Sequence, residues 1–240
     1  MTKGLPTHDP GDPLAKSKDR AQAALYKLLK ERLGGQANAV MRALGNPPDV
    51  SRLSDEFWAT EAGLMLAAIR PEVERAVLAA IAGEAVTVTV LWDEAVIARE
   101  AADWASEYVG QLIRQIDQNT LDYVRRQVTA FVETPGMRLG DLRASLEPAF
   151  GERRAQTIAV TETTRAYAQG QVLIQKELAA AGLRRLRKWN TSGDEKRVCE
   201  HCQALESRLE TEWAGIFAGA ADGPPAHPNC RCWTTFVRAG

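Results

Sequence analysis

Apolar residues recur at helical spacing along most of the chain. The longest such segment covers residues 93–133, where polar residues separate apolar ones about 3.6 positions apart. Its apolar positions are Ile97, Ala101, Trp104, Tyr108, Leu112, Ile116, Tyr123 and Phe131. The pattern predicts one long helix, or two helices with a break near Asn119. The stripe through its aromatic residues is interpreted as core packing, with a partner-binding groove as the alternative.

Shorter helical patterns precede this segment. The stretch "AQAALYKLLKERL" carries a leucine stripe and predicts a helix that ends at Gly34 and Gly35. A second helix is predicted over residues 57–69, and Pro71 is expected to open another helix at its first turn. The composition "VTVTVLW" at residues 86–92 is typical of a strand.

The C-terminal part begins with helix and then changes in character. A short helix is predicted to begin near Leu139, and another to cover about residues 152–181 with Gly182 as its stop signal. Beyond Gly182, one strand is predicted to end at Trp189, and "CWTTFV" predicts a second near the end of the chain. The predicted fold class is mainly α with a small α+β C-terminal unit.

Composition divides the N-terminal part further and excludes some classes of protein. Residues 1–20, rich in Pro, Gly, Asp and Lys, predict a flexible arm, and residues 21–92 form a helical region without a motif that indicates a role. With 30 Lys and Arg against 31 Asp and Glu, the chain is unlike proteins that coat nucleic acid. No apolar run is long enough for a membrane-spanning helix, and the opening lacks the apolar core of a secretory signal.

All four cysteines lie near the C-terminal end, in the patterns C199-E-H-C202 and C230-R-C232, with His227 just before the second pair. Two residues between cysteines allow both sulfurs to bind one metal ion, as in structural zinc sites. Zinc takes four ligands and five candidates are present. Cys199, Cys202 and Cys230 are the best supported, and the spacing leaves the fourth open between Cys232 and His227. A reducing cytoplasmic setting favours a metal over a disulfide or four free thiols.

A structural role for this metal is favoured over a catalytic one. The stretch from about residue 183 to the end has few large apolar residues, and structural zinc supplies roughly 10–16 kcal/mol in small peptides at neutral pH. The metalloprotease pattern HExxH and the deaminase pattern are both absent. Glu200 and His201, between the first two cysteines, are expected to be solvated. The chain is therefore predicted to carry a structural zinc ion and not to be an enzyme.

Two further clusters of charged residues are candidates for a binding or structural role. The basic run at Arg184, Arg185, Arg187 and Lys188 suits phosphates or an acidic protein surface, although a strand with one solvated face is the preferred interpretation. The stretch "TETTR" at 161–165 places threonines in mid-helix, where they are unfavourable. A buried Glu162 paired with Arg165 or Arg197 explains this, and so does a solvated helix face.

Three stretches occur in a recognisable order: "RAQTIAVTETTRAYAQGQ", "KWNTSGDEKRVCEHCQAL" and "PPAHPNCRC". Together they resemble the phage Mu F-like minor head proteins, also called phage head morphogenesis proteins. The matching positions are Arg154, Ala155, Ile158, Ala159, Thr161, Glu162, Trp189, Asp194, Arg197, Val198, Pro225, His227, Pro228, Cys230, Arg231 and Cys232. This chain departs from the pattern by one extra residue in "DEKRV", and by "ESR" after Leu205 where a glycine is usual.

The resemblance implies both a domain division and a function. Residues 93–240 are expected to form the head morphogenesis domain, with 183–240 as its small Cys/His metal-binding end. The implied function is that of a minor capsid protein, which associates with the portal and acts in head assembly and in DNA packaging or delivery. The implied partners are the portal protein, capsid and scaffold proteins and possibly phage DNA, and the implied location is the virion or procapsid, with the host cytoplasm during assembly. The alternatives are a zinc-dependent nuclease or hydrolase acting on DNA, and a DNA-binding zinc module that uses the basic run.

Overall fold

The computed structural model describes residues 13–85, 93–191 and 198–238. Within these ranges the chain is mostly α-helical with one two-stranded sheet, which confirms the predicted fold class. The strand predicted at 86–92, residues 1–12 of the predicted arm, and Arg197 lie outside the described residues.

Four long helices account for most of the described chain. They are α1 (Pro13–Leu44), α2 (Asp55–Ala85), α3 (Glu94–Glu133) and α6 (Glu152–Ala180), with the short helices α4 (Leu139–Ser145) and α5 (Glu147–Phe150) between the last two. The prediction of a long helix over 93–133 is confirmed, and α3 continues through Asn119 without a break. The helix predicted at 152–181 is confirmed as well, and Gly182 follows it with a φ of 77°, the left-handed conformation that glycine adopts at helix ends.

Three predicted boundaries in α1 and α2 were wrong. Helix α1 starts at Pro13, so residues 13–20 are helical and not part of a flexible arm. It also runs through Gly34 and Gly35, because the residues on either side pack: Leu33 and Gln36 are both fully buried. The cost of roughly 1 kcal/mol for each glycine is smaller than the gain from that packing. Helix α2 likewise contains Pro71 within its length.

The buried face of α3 differs from the predicted stripe. Its fully buried positions include Ala101, Ala105 and Val109, whereas Trp104 and Tyr108 are only half-buried. Small side chains allow a neighbouring helix to approach closely, so they take the centre of the buried face while the large aromatic rings lie at its margin.

The chain divides into two compact units that interleave along the sequence. We call the first the clasp unit; it comprises Met1–Leu25, Glu72–Ala105 and Thr157–Gly240. We call the second the helical unit; it comprises Tyr26–Pro71 and Ser106–Gln156. The sequence had indicated consecutive segments, 21–92 and 93–240. Each of the four long helices contributes residues to both units, and the predicted domain boundaries stay a prediction.

The helical unit has an apolar core and a buried polar group beside it. The core is formed by Val40, Leu44, Leu53, Trp58, Val124, Val128, Leu142, Leu146, Ala149 and Phe150. Gln36 Nε2 donates to Asp117 Oδ1 at 3.3 Å, and both residues are buried. Burial raises the pKa of Asp117 to about 6. Arg154 donates to the Ala149 and Ile116 carbonyls at 2.6 and 3.2 Å.

The clasp unit contains the sheet and the remaining short helices. Strands β1 (Arg185–Asn190) and β2 (Trp233–Arg238) pair antiparallel, with Arg185 opposite Arg238 and Asn190 opposite Trp233. This confirms the predicted strand pair. Between the strands lie helices α7 (Glu200–Leu205) and α8 (Glu210–Ile216) and the 3₁₀ turn Ala218–Ala220. The residues that join β1 to β2 therefore carry all five candidate metal ligands.

Candidate metal centre

The first cysteine pair lies at the start of α7. Cys199 is the residue before the helix, with extended backbone, and Cys202 lies in the first turn. Gln203 N–H donates to the Cys199 carbonyl at 2.9 Å, so the turn is closed by a backbone hydrogen bond. Cys202 is buried and Cys199 is half-exposed. The two-residue spacing thus produces the turn around a common point that the sequence predicted.

The second half of the site is the loop that leads into β2. Cys230 N–H donates to the His227 carbonyl at 3.2 Å, and Asn229 between them has a φ of 64°. His227 Nδ1 lies 2.9 Å from the Pro228 carbonyl oxygen. A proton on Nδ1 would occupy that contact and leave Nε2 free as a metal ligand, the arrangement usual for metal-binding histidines.

The two halves meet with ligand-like spacing. His227 Nε2 lies 3.2 Å from Cys199 Sγ and 3.3 Å from Cys202 Sγ, and Cys202 Sγ lies 3.8 Å from Cys230 Sγ. Zinc–sulfur bonds of about 2.3 Å in a tetrahedron place two sulfurs about 3.8 Å apart. These three separations match those between neighbouring ligands of one metal ion.

The five candidates form two overlapping groups of three. One group is Cys199, Cys202 and His227, and the other is Cys202, Cys230 and Cys232; within each, the ligand atoms lie within 4.8 Å of one another. Cys202 belongs to both groups, so the two groups adjoin at its sulfur. Both residues left open as the fourth ligand, His227 and Cys232, are neighbours of Cys202.

The thiols of this cluster are electrostatically coupled. Hydrogen bonds from Cys202 and Cys232 lower the pKa of Cys230, since they stabilise its thiolate. The pKa of Cys202 is raised, first by its hydrogen bond to Cys230 and also by burial. One sulfur is thus ready to bind a cation, whereas a metal ion has to displace the proton of Cys202. Metal affinity is therefore expected to fall as the pH falls.

Helix α6 supports the second cysteine pair through the threonines of the "TETTR" stretch. Thr164 Oγ1 donates to the Cys230 carbonyl at 3.0 Å, and Asn229 N–H donates to Thr161 Oγ1 at 2.8 Å. The sequence interpretation missed this role. The available signal was the unfavourable placement of threonines in mid-helix, which had been attributed to a buried Glu162 pair or to a solvated helix face.

The predicted charge pair on the same helix is present in one of its two forms. Glu162 is buried, and its Oε2 lies 3.8 Å from Arg165 Nε. Helix spacing brings the two side chains together because they are three residues apart. The alternative partner, Arg197, lies outside the described residues, so the pair of Glu162 with Arg197 stays a prediction.

One of the four residues of the basic run, Arg187, is buried. Arg187 is only 8 % exposed, its Nε donates to Glu210 Oε2 at 2.8 Å, and its guanidinium lies 5.2 Å from the centre of the Trp213 ring. Alternation along β1 turns this side chain inward, and Glu210 and Trp213 hold it there. Arg184 is exposed, and Arg185 and Lys188 are half-buried.

The cysteine cluster is packed against two tryptophans. Trp189 and Trp213 are fully buried with ring centres 5.3 Å apart in an edge-to-face arrangement, and Leu205 completes the cluster beside them. His201 is exposed and stacks on Phe217 at 4.3 Å between ring centres. That position agrees with the expectation that His201 is not a ligand.

Comparison with known protein families places this site in context. A family model described as Phage Mu protein F like protein matches residues 110–235, slightly more than half of the 240-residue chain. The chain belongs to the phage Mu protein F like family. The matched region includes all five candidate ligands as well as Thr161 and Thr164 of α6. Membership supports a general assignment to phage head morphogenesis proteins and fits a virion or procapsid location.

Two further comparisons add little to the family assignment. Neither the curated proteins nor the solved structures contain a match to this chain. Among the helices of the described residues, none combines the length and apolar character needed to cross a membrane.

Proposed function

We propose that this chain is a minor head protein, present in few copies per particle, that associates with the portal and acts in head assembly and in DNA packaging or delivery. The observation that carries the proposal is that one family match includes every residue of the candidate metal centre. The site and the family assignment thus concern the same part of the chain. The partners in this proposal are the portal protein and the capsid and scaffold proteins.

In this proposal the metal centre holds a structural Zn²⁺ ion and the protein is not an enzyme. The donor set is rich in cysteine, and thiolate with imidazole favours zinc over magnesium or calcium. Cys202, Cys230 and Cys232 are 2–3 % exposed, which leaves little room for a substrate at that side of the centre. A catalytic zinc needs an open ligand position and a general base close by. Glu200, the nearest carboxylate in sequence, is exposed.

Direct DNA binding by the basic run is less well supported than docking on protein. Arg187 contacts Glu210 and Trp213, so its charge is already paired. Three basic residues and a near-neutral chain give a weak attraction for a polyanion. Contact with packaged DNA is therefore a secondary part of the proposal.

Quantitative mass spectrometry of gradient-purified procapsids and virions, from the phage or prophage that encodes this chain, tests the proposal. A few copies per particle that sediment together with the portal protein are expected. Absence from both kinds of particle, or a copy number like that of the major capsid protein, would reject the proposed role.

A plasmid-cleavage assay tests the non-enzymatic part. The purified full-length protein is expected to leave supercoiled plasmid DNA intact with Zn²⁺, Mg²⁺ or Mn²⁺ present. Metal-dependent cleavage that is retained in His201→Ala and lost in His227→Ala would show a nuclease centred on the cysteine cluster. The His201→Ala variant controls for loss of an imidazole that is close in sequence to the ligands.

A further inference from the structure

The first turns of α1 make two hydrogen bonds to the loop that leads into β2, residues 227–232, which we call the cysteine loop, and one to α6. Lys18 Nζ donates to the Cys232 carbonyl at 3.3 Å, Arg231 Nη1 donates to Gln22 Oε1 at 3.4 Å, and Tyr167 Oη donates to Ser17 Oγ at 2.8 Å. Lys18 and Gln22 are four residues apart and therefore share one face of the helix. All of these residues belong to the clasp unit.

Lys18 stands out because its charged group is almost completely removed from solvent. The residue is 2 % exposed, and lysine is rarely buried without a compensating anion. The titratable groups around it are Cys230, Cys232 and Asp19, whose negative charge would attract the ammonium, and Arg231, whose charge opposes it. The second cysteine pair therefore lies beside this buried ammonium.

A metal-bound centre makes that attraction permanent. A divalent ion held by three thiolates and one imidazole leaves one negative charge on the centre, and four thiolates leave two. A buried cation beside such a centre reduces the cost of burying both charges, because each supplies the counter-charge that the other lacks. Without the metal, the ammonium lacks the fixed counter-charge that the bound centre supplies.

We infer that Lys18 is the charge-compensating partner of the metal–thiolate centre, and that metal binding thereby holds the first turns of α1 against the cysteine loop. The inference rests on the proposed metal centre. It assigns Lys18 a positioning role toward the metal ligands, since the geometry shows it contacting Cys232 through the carbonyl. It also gives the metal an effect beyond its own loop, on a residue that precedes Cys232 by 214 positions in the sequence.

The first test measures zinc affinity of the full-length chain by competition with a chromophoric chelator. Lys18→Met removes the charge and keeps the length of the side chain, and about a tenfold weaker affinity is expected, as for other outer-shell partners of metal ligands. Lys16→Met is the matched control, because Lys16 is exposed on the same helix turn, and its affinity should equal that of the unsubstituted chain. Equal affinity in Lys18→Met and Lys16→Met would overturn the inference.

The second test needs no substitution and so remains decisive if Lys18→Met fails to fold. Hydrogen exchange of the unsubstituted chain is followed with zinc bound and after chelation. Amides of residues 16–25 should exchange faster after zinc removal, whereas those of residues 36–44 in the helical unit should not change. Unchanged exchange at 16–25 would overturn the inference. A chain that binds no zinc would reject the proposed metal centre together with the inference, whereas tight zinc binding without these effects would reject the inference alone.

Discussion

The buried clusters of the helical unit and the clasp unit contain different kinds of side chain. In the helical unit, the buried cluster consists of apolar side chains without sulfur, including Leu44, Leu142 and Phe150. In the clasp unit, Cys202, Cys230 and Cys232 are three of the eight buried members. Apolar area stabilises the first cluster directly. The second places polarisable, ionisable groups at positions that packing alone would fill with leucine or valine.

The lengths of the helices differ in the same way. The helical unit draws on α1 and α3, of 32 and 40 residues, whereas the cysteine cluster is flanked by α7 and α8, of 6 and 7 residues. Isolated helices shorter than roughly 12 residues are marginal in water. A cluster built on such short elements needs a cross-link, and the cysteine and histidine side chains gathered there suit a metal ion.

The largest expected effect is the loss of a metal ligand. Cys230→Ser should release the ion and open the cysteine cluster, because structural zinc supplies roughly 10–16 kcal/mol in small zinc-binding peptides. Near-UV circular dichroism from Trp189 and Trp213 should decrease, and protease cleavage should appear within residues 183–240, while most far-UV helical signal remains. Glu200→Gln, an exposed change beside a ligand, is the control. A variant with native-like melting and normal protease resistance would contradict a metal centre that stabilises the clasp unit.

A change in the apolar core should destabilise the helical unit and leave zinc binding unchanged. Leu142→Ala, at a fully buried position, should reduce the free energy of unfolding of the helical unit by about 2–5 kcal/mol and leave zinc stoichiometry unchanged. Urea denaturation monitored by hydrogen exchange measures the free energy of unfolding of this unit. Leu64→Ala, at a 47 % exposed position in the same unit, should have a much smaller effect. Loss of zinc in Leu142→Ala would show that the two clusters are not energetically separate.

The hydrogen bond from α6 to the cysteine loop should contribute less than a ligand. Thr164→Val keeps the shape of the side chain but removes the donor to the buried Cys230 carbonyl, at a cost of about 1–3 kcal/mol. Chelator competition and urea denaturation should both show the loss. Thr129→Val, exposed on α3, serves as the matched control. Equal stability of the two variants would mean that α6 does not support the loop.

The smallest expected effect is a gain in stability. The pKa of Asp117 is raised to about 6 by burial, so the folded state binds a proton more tightly than the unfolded state. Stability should therefore fall as the pH rises from about 4 through 6. Asp117→Asn should remove that dependence and increase the free energy of unfolding at pH 7 by on the order of 1 kcal/mol. Denaturant melts at several pH values measure this, with Asp103→Asn, an exposed carboxylate of α3, as the control. A destabilised Asp117→Asn at pH 7 would show that its charge is needed.

Spacing within a short stretch was sufficient to predict much of the site. The gaps between Cys199 and Cys202, and between His227 and Cys230, determine local turns, so the candidate ligands that lie close together could be named from sequence. Residues contributed by distant elements could not be named from sequence. Lys18 lay in a stretch whose composition indicated an arm, and its burial depends on Cys232, which no local pattern reveals.

The difference between local sequence patterns and contacts with distant residues also explains which helix boundaries were predicted. The long helix α3 was predicted because its periodicity is sustained over 40 residues. The ends of α1 and α2 were not, because Gly34, Gly35 and Pro71 are local stop signals whose cost is smaller than the packing on either side of them. Arg187 was grouped with the basic run because sequence shows its neighbours along β1 but not Glu210 and Trp213, which contact it in the fold. Its inward position agrees with the preferred interpretation, a strand with one solvated face.

Native mass spectrometry of the purified full-length chain tests the central claim most directly, because it reports how many metal ions each chain retains. The account predicts one Zn²⁺ per chain after removal of loosely bound metal, since both groups of ligands share Cys202. Cys230→Ser prepared in the same way should carry none. A metal-free chain with two disulfides, or one that holds two ions, would contradict the account.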